Sequence, residues 1–212
     1  MRWRYVLFDL DGTLFDTSPG IMRCLYESLA ECGFDGGDLR RFVGPPLLES
    51  LSEFCGMDAA QAAHCVALYR ARYKESGVYE CAPMAGAEEC LCALKRAGAR
   101  LAVATSKPLR FALQILTRFR FDRYFDVVCG AESDAHSAKA EIVAEALARL
   151  GSPAPADCVM VGDRKYDVLG AAANGIPCIA LDSGFAAEGE YEKAGALCVC
   201  KDFSAVLRAL TD

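Results

Sequence analysis

At 212 residues the chain can hold one good hydrophobic core, or one core with a small satellite. It is 53% hydrophobic and 25% charged, which excludes a disordered chain, and its net charge of −6 argues against a nucleic acid polymer as partner. The apolar runs stop short of the roughly 18 residues a membrane span needs, and Asp9 breaks the first run too soon for a signal peptide, so a cytoplasmic protein with no membrane partner is expected.

Residues 4–9 read as a short buried strand. It ends on Asp9 and Asp11, one residue apart, with Gly12 and Thr13 directly behind them. Strand alternation would turn both carboxylates to one side. That suits either a nucleophile with a proton carrier or a hard metal ion. Asp16-Thr17-Ser18-Pro19 then offers capping side chains and a first-turn proline. Ile21, Leu25 and Leu29 recur at helical spacing until Gly33. Phe42-Val43-Gly44-Pro45-Pro46 makes a stiff loop, because two prolines fix φ and Gly44 permits an unusual dihedral. Leu47, Leu48, Leu51 and Phe54 mark a short amphipathic helix, and residues 58–75 another. From Asp16 to about Cys81 the chain is therefore expected to be an all-α insert.

At Pro83 the character changes. Helices over 87–97, 110–119, 138–150, 166–173 and 203–210 alternate with strands over 100–105, 126–130, 158–162 and 177–181, and a short sixth strand spans 196–199. Such alternation implies a parallel sheet covered on both faces. The expected fold is α/β: a Rossmann-like doubly wound parallel sheet in three layers (α/β/α) with an inserted all-α helical cap. The core takes residues 1–15 plus 83–212 and the cap takes 16–82.

Several strand ends carry chemistry. The first offers Asp9 and Asp11, the second Thr105, Ser106 and Lys107, and the fourth Gly162-Asp163 with Asp167 four residues on; Lys139 opens the helix after the third. A parallel sheet gathers these ends on one edge. Carboxylates meeting there repel unless a hard cation sits among them, and Mg²⁺ is the natural candidate, since it takes a few carboxylates and a phosphate oxygen. Hydroxyls and a lysine would hold the other phosphate oxygens, and one carboxylate is left to attack phosphorus.

Asp9-Leu10-Asp11-Gly12-Thr13, Thr105-Ser106, Lys139 and Gly162-Asp163 with Asp167 resemble, in order, the four motifs of the haloacid dehalogenase-like hydrolase superfamily. The helical insert after the first motif resembles its first-type cap. The resemblance implies that Asp9 is the nucleophile and forms an aspartyl phosphate, and that Asp11 protonates the leaving oxygen and later deprotonates water. Thr105 and Lys139 would act on the phosphoryl group, with Ser106 and Thr13 as substrate contacts. Mg²⁺ would be held by Asp9, the Asp11 backbone carbonyl and Asp163, with Asp167 as a ligand or one step behind. Two departures stand out: Ser106 where many relatives have Asn, and Ala140 where many have Pro. Lys107 is a rival phosphate contact to Lys139.

The overall pattern resembles the phosphoglycolate phosphatase group, which implies a Mg²⁺-dependent phosphatase for a small phosphorylated metabolite, working as monomer or homodimer. The Gly-Pro-Pro loop and Thr105-Ser106-Lys107-Pro108 also resemble a 5′-nucleotidase branch. Gly44 and Pro45 are the expected cap contacts to substrate. A sugar-phosphate mutase would need a bisphosphate activator, and a non-catalytic phosphate-binding protein would lack the nucleophile or the acid. Twelve cysteines scattered through apolar runs read as reduced core thiols. His64 is expected to be structural, and Arg70, Arg72, Tyr73 and Lys74 to lie either at the cap–core cleft or, the preferred reading, exposed on the cap surface. His136 lies near Lys139 in sequence and has no role assigned.

Overall fold

The computed structural model describes residues 2–132 and 137–212, so His136 lies outside the described residues. Its main sheet has six parallel strands in the order β5-β4-β1-β6-β7-β8. These are β1 (Tyr5–Phe8), β4 (Arg100–Pro108), β5 (Val127–Ala131), β6 (Cys158–Gly162), β7 (Cys178–Leu181) and β8 (Cys198–Cys200). β1 lies at the centre because its residues are apolar on both faces. Val6 and Phe8 pack with α4 (Ala87–Arg96), α5 (Leu109–Arg118) and α9 (Phe203–Thr211), while Leu7 packs with α6 (Lys139–Arg149) and α7 (Lys165–Ala173). β4 and β6 repeat the alternation, with Leu101, Val103, Val159 and Val161 on one side and Ala102, Ala104, Cys158 and Met160 on the other. The result is a doubly wound three-layer α/β/α sandwich, as the alternating elements implied. All twelve cysteines are free thiols.

Register sets the active edge. Phe8 pairs with Val103 on one side and Val161 on the other. The next residue of each strand therefore ends level with its neighbours: Asp9, Ala104 and Gly162. The Asp9 N–H donates to the Val161 carbonyl at 2.9 Å, which extends the ladder by one bond. Asp11 sits beyond the strand in a tight loop, where Gly12 N–H donates to the Phe15 carbonyl at 2.8 Å. The strand alternation expected to bring Asp9 and Asp11 to one side thus does not reach Asp11.

The insert leaves and rejoins the core through β2 (Phe15–Asp16) and β3 (Ala82–Pro83), a two-residue antiparallel pair. Between them lie α1 (Ser18–Cys32), α2 (Leu47–Cys55) and α3 (Ala59–Glu75). Their inner faces, with Phe42 and Met57 from the connecting segments, form a separate apolar cluster that includes Leu25, Leu29, Leu51, Ala62, Cys65 and Val66. α1 ends at Gly33 with φ +77, and Asp58 and Gln61 form a reciprocal capping box on α3. The start of α1 differs from the expected cap: Asp16 Oδ1 accepts from the Ser18 N–H at 3.0 Å, while the Thr17 hydroxyl turns to Asp11. No helix among the described residues is long and apolar enough to cross a membrane.

Candidate active site

Asp9, Asp163 and Asp167 converge at the end of β1, with carboxylate oxygens within 4.8 Å of one another and all three side chains buried. Lys139, the first residue of α6, reaches them from the opposite layer. Its Nζ contacts Asp9, lies 2.7 Å from Asp167 Oδ1 and donates to the Ala104 carbonyl at 3.0 Å. Gly170 makes room for its stem, since a Cβ there would stand 2.6 Å from Lys139 Cγ. Burial works against the Lys139 ammonium, but Asp167 and Asp9 outweigh it and hold the group above its ordinary range.

Burial pushes the Asp9 carboxyl up to about 7; Lys139 opposes that, and the Asp167 and Asp11 charges add to it. Asp163 is driven well above the usual carboxylate range by burial, then by Asp167 and Asp9. Its two oxygens accept from Thr13 Oγ1 at 2.9 Å and Ser183 Oγ at 2.8 Å. Asp167 Oδ2 accepts the N–H groups of Asp163 at 3.1 Å and Arg164 at 3.0 Å, so it shapes the strand-end turn as well as the cluster.

The donor set fits a divalent cation. With all three carboxylates ionised, they and the one ammonium carry two net negative charges in a buried site; a dication would cancel these and so offset the repulsion that raises Asp9 and Asp163. The donors are all oxygen, as Mg²⁺ prefers. Gly12, with φ +79, keeps the backbone close: a Cβ there would lie 2.2 Å from Asp163 Oδ2. The loop carrying the Asp11 carbonyl is thereby pressed against the cluster.

Asp11 is held apart from that group. Its carboxylate accepts from Lys107 Nζ at 2.9 and 3.1 Å and from Thr17 Oγ1 at 2.6 Å, and Lys107 also lies 4.6 Å from the Tyr73 ring centroid. Beyond it a cavity opens between cap and core, walled by Gly44, Pro45, Tyr69, Arg70, Tyr73 and Phe111. Arg70 and Tyr73 therefore line this cleft, the alternative to the surface position preferred for them. Tyr69 and Tyr73 stack one helical turn apart, with centroids 5.4 Å apart, so one stripe of α3 points inward.

The other expected contacts are placed as follows. The Thr105 hydroxyl accepts from the Lys107 N–H at 3.2 Å, and Ser106 Oγ donates to the Ser137 carbonyl at 2.9 Å, tying β4 to the segment before α6. Thr13 is fully buried and directed at Asp163. Sequence reasoning did not single out Thr17, Ser183, Arg164 or Tyr191, whose hydroxyl donates to the Asp163 carbonyl at 3.0 Å. Ser183 was within reach of the same logic, since it stands just past the end of β7.

Comparison with known proteins agrees with this arrangement. A 5′-nucleotidase from Pseudomonas aeruginosa is 41% identical over 214 residues, spanning 99% of this chain and 96% of its own. A protein named tyrosine-protein kinase PtkA, from Mycobacterium tuberculosis, is 40% identical over 184 residues; the match takes 85% of this chain but only 62% of that one. A phosphoglycolate phosphatase from Caulobacter vibrioides is 35% identical over 215 residues, covering 96% of this chain and 89% of its own. The crystal structure of a predicted phosphatase from Clostridium acetobutylicum superposes with a TM-score of 0.93 at 36% identity, covering 99% of each chain. Residues 6–181, from β1 through β7, match the haloacid dehalogenase-like hydrolase family. With the family's motif residues meeting at one sheet edge, the chain belongs to the haloacid dehalogenase-like hydrolases.

Proposed function

We propose that this chain is a Mg²⁺-dependent phosphatase that hydrolyses a small phosphate monoester through Asp9. The observation that carries the reading is the division of labour at the edge: a buried carboxylate cluster bridged by Lys139, and Asp11 held separately on the cavity side. The carboxylates of Asp9, Asp163 and Asp167 and the Asp11 backbone carbonyl would hold Mg²⁺. When bound there, Mg²⁺ draws off the repulsion between Asp9 and an incoming phosphate and offsets charge gathering on its oxygens. Lys139 takes a phosphate oxygen while orienting Asp9. The Asp9 carboxylate attacks phosphorus, and the ester P–O bond breaks as Asp11 delivers a proton to the leaving oxygen. Water then attacks the aspartyl phosphate, Asp11 accepts its proton, and Asp9 is released with phosphate. Thr105 and Ser106 fix the end of β4 around the phosphoryl position.

The cap, residues 16–82, governs the leaving group. Phosphoglycolate is one reading. The cavity beside Asp11 favours a second, a nucleoside monophosphate, because the apolar wall to which Tyr69, Tyr73 and Phe111 contribute would suit a base that glycolate lacks. Transfer to a protein tyrosine, the activity in the PtkA name, is disfavoured because the cap tip lies across the approach to Asp11. We place the protein in the cytoplasm, as a monomer or homodimer.

Phosphate release should be measured with and without Mg²⁺ over phosphoglycolate, nucleoside monophosphates, sugar phosphates and pyrophosphate. Asp9→Asn is expected to abolish release from the preferred ester while keeping the fold by circular dichroism. Near-normal turnover in that variant would remove Asp9 as nucleophile.

A further inference from the structure

Arg164 follows Asp163 directly but does not turn to the carboxylates. It is buried, and its guanidinium runs up into the cap. Nη1 donates to the Val43 carbonyl at 2.5 Å and reaches the Arg41 carbonyl at 3.5 Å. Nε meets Glu190 Oε1 at 3.0 Å. Glu190 opens α8 (Glu190–Ala194), and its carboxylate also accepts from the N–H groups of Lys165 at 2.9 Å and Ala187 at 3.1 Å. The fork is thus fixed from the core while it grips backbone of the cap.

The grip is close. Gly44, next after Val43, has φ +101, and a Cβ there would lie 2.9 Å from Arg164 Cγ. The tip rests on the stem of the arginine, and the following residues, Pro45 and Pro46, line the cavity beside Asp11 with their φ fixed. A second clasp lies nearby. Arg40 Nη2 donates to the Gly184 carbonyl at 2.5 Å, and Gly184 follows Ser183, which holds Asp163.

Resting on the phosphatase reading, we propose that Arg164 is a positioning residue that latches the cap tip onto the core and so sets which leaving groups fit beside Asp11. A planar fork with five donors can serve two cap carbonyls and Glu190 at once; a lysine ammonium cannot reproduce that geometry. Were the Arg164–Glu190 pair only a prop for the fold, its loss would lower the folded fraction and reduce turnover of every substrate alike.

The test uses the full chain with Arg164→Lys, Glu190→Gln and Arg40→Ala. Kinetics are read with acetyl phosphate, whose leaving group is small, and adenosine 5′-monophosphate, whose larger leaving group would have to occupy the cavity beside the cap tip. Amide hydrogen exchange is followed across residues 40–47. Arg164→Lys is expected to raise KM for adenosine 5′-monophosphate by about tenfold, the fold-change that one lost charge-assisted hydrogen bond corresponds to. Acetyl phosphate kinetics should stay within about threefold, and exchange at the tip should accelerate. Equal changes for both substrates, or unaltered exchange at residues 40–47, would overturn the latch. If Arg164→Lys does not fold, Arg40→Ala, at an exposed position, must shift selectivity in the same direction or the proposal fails. Failure of the wild type to release phosphate from these probes and from the whole ester panel above would instead reject the phosphatase reading, while the exchange measurement would still decide the latch.

Discussion

Gly12 and Gly33 have nearly the same backbone, with φ +79 and +77, but very different surroundings. Alanine in the left-handed region costs about 1–2 kcal/mol. At Gly33 nothing lies within 4 Å of an added Cβ, so that strain is the whole cost. At Gly12 the Cβ would stand 2.2 Å from Asp163 Oδ2, a separation two atoms cannot share. The Asp163 carboxylate must swing aside and give up at least one of its bonds to Thr13 and Ser183. A charge-assisted bond of that kind is worth about 1.5–3 kcal/mol. Gly12→Ala should therefore be less stable than Gly33→Ala by that amount, or about 3–12 °C in Tm for a chain of this size. Thermal denaturation of both variants measures the difference. Repeating the melts with Mg²⁺ adds a second readout, since an ion that binds only the folded state raises Tm by linkage. Gly33→Ala should gain as much as the wild type and Gly12→Ala much less. Equal stability of the two variants, with equal gains from Mg²⁺, would refute the close approach of this loop to Asp163.

Three further outcomes are expected. Lys139→Met leaves three buried carboxylates without their ammonium and should cost about 3–5 kcal/mol in chemical denaturation, partly restored by Mg²⁺; full stability without the ion would show that Lys139 does not bridge the cluster. Asp163→Asn should raise the Mg²⁺ concentration for half-maximal phosphate release by about tenfold, and unchanged metal dependence would remove Asp163 from the site. Asp126 lies outside the site: burial raises its carboxyl, but the Leu101 N–H, Lys95 and Arg100 outweigh that and hold it below the ordinary 3.8. Its folded form binds fewer protons than the unfolded chain in that window, so its contribution is present above pH 3.8 and lost as pH falls through the lowered value. Wild-type stability should then fall more steeply than that of Asp126→Asn below about pH 4, and parallel slopes would deny the shift.

The sheet was legible because its strands are continuous apolar runs bounded by glycine and polar residues, a pattern that burial on both faces demands. The carboxylates and Lys139 were legible because parallel strands deliver their ends to one edge, whatever the details of packing. What escaped were contacts with no periodic signature. The pair formed by Phe15–Asp16 and Ala82–Pro83 is two residues long, and Pro83 offers no N–H to a ladder. Helix α8 is a single turn between Gly189 and Gly195. Arg164 reads in sequence as one more surface cation beside Lys165; its guanidinium finds its partners far along the chain, in the cap loop 121 residues back and in Glu190, 26 residues on. The different settings of Asp9 and Asp11 were hidden for a related reason. Spacing places two carboxylates near each other, but long-range lysines from different layers decide which one each carboxylate faces.

The pair of Phe15 opposite Pro83 and Asp16 opposite Ala82 has a consequence for how such enzymes diversify. Where the chain departs and where it returns are neighbours in one ladder, so any insert whose two ends fit that gap can be seated there. Recombination can exchange the whole helical segment as a cassette without disturbing the register of β1 against β4 and β6. Chemistry and selectivity are thereby inherited through separate stretches of gene. Among the groups a foreign cassette must supply to the old frame are a hydroxyl for Asp11, a carbonyl for Arg164 and a donor for the Gly184 carbonyl to receive.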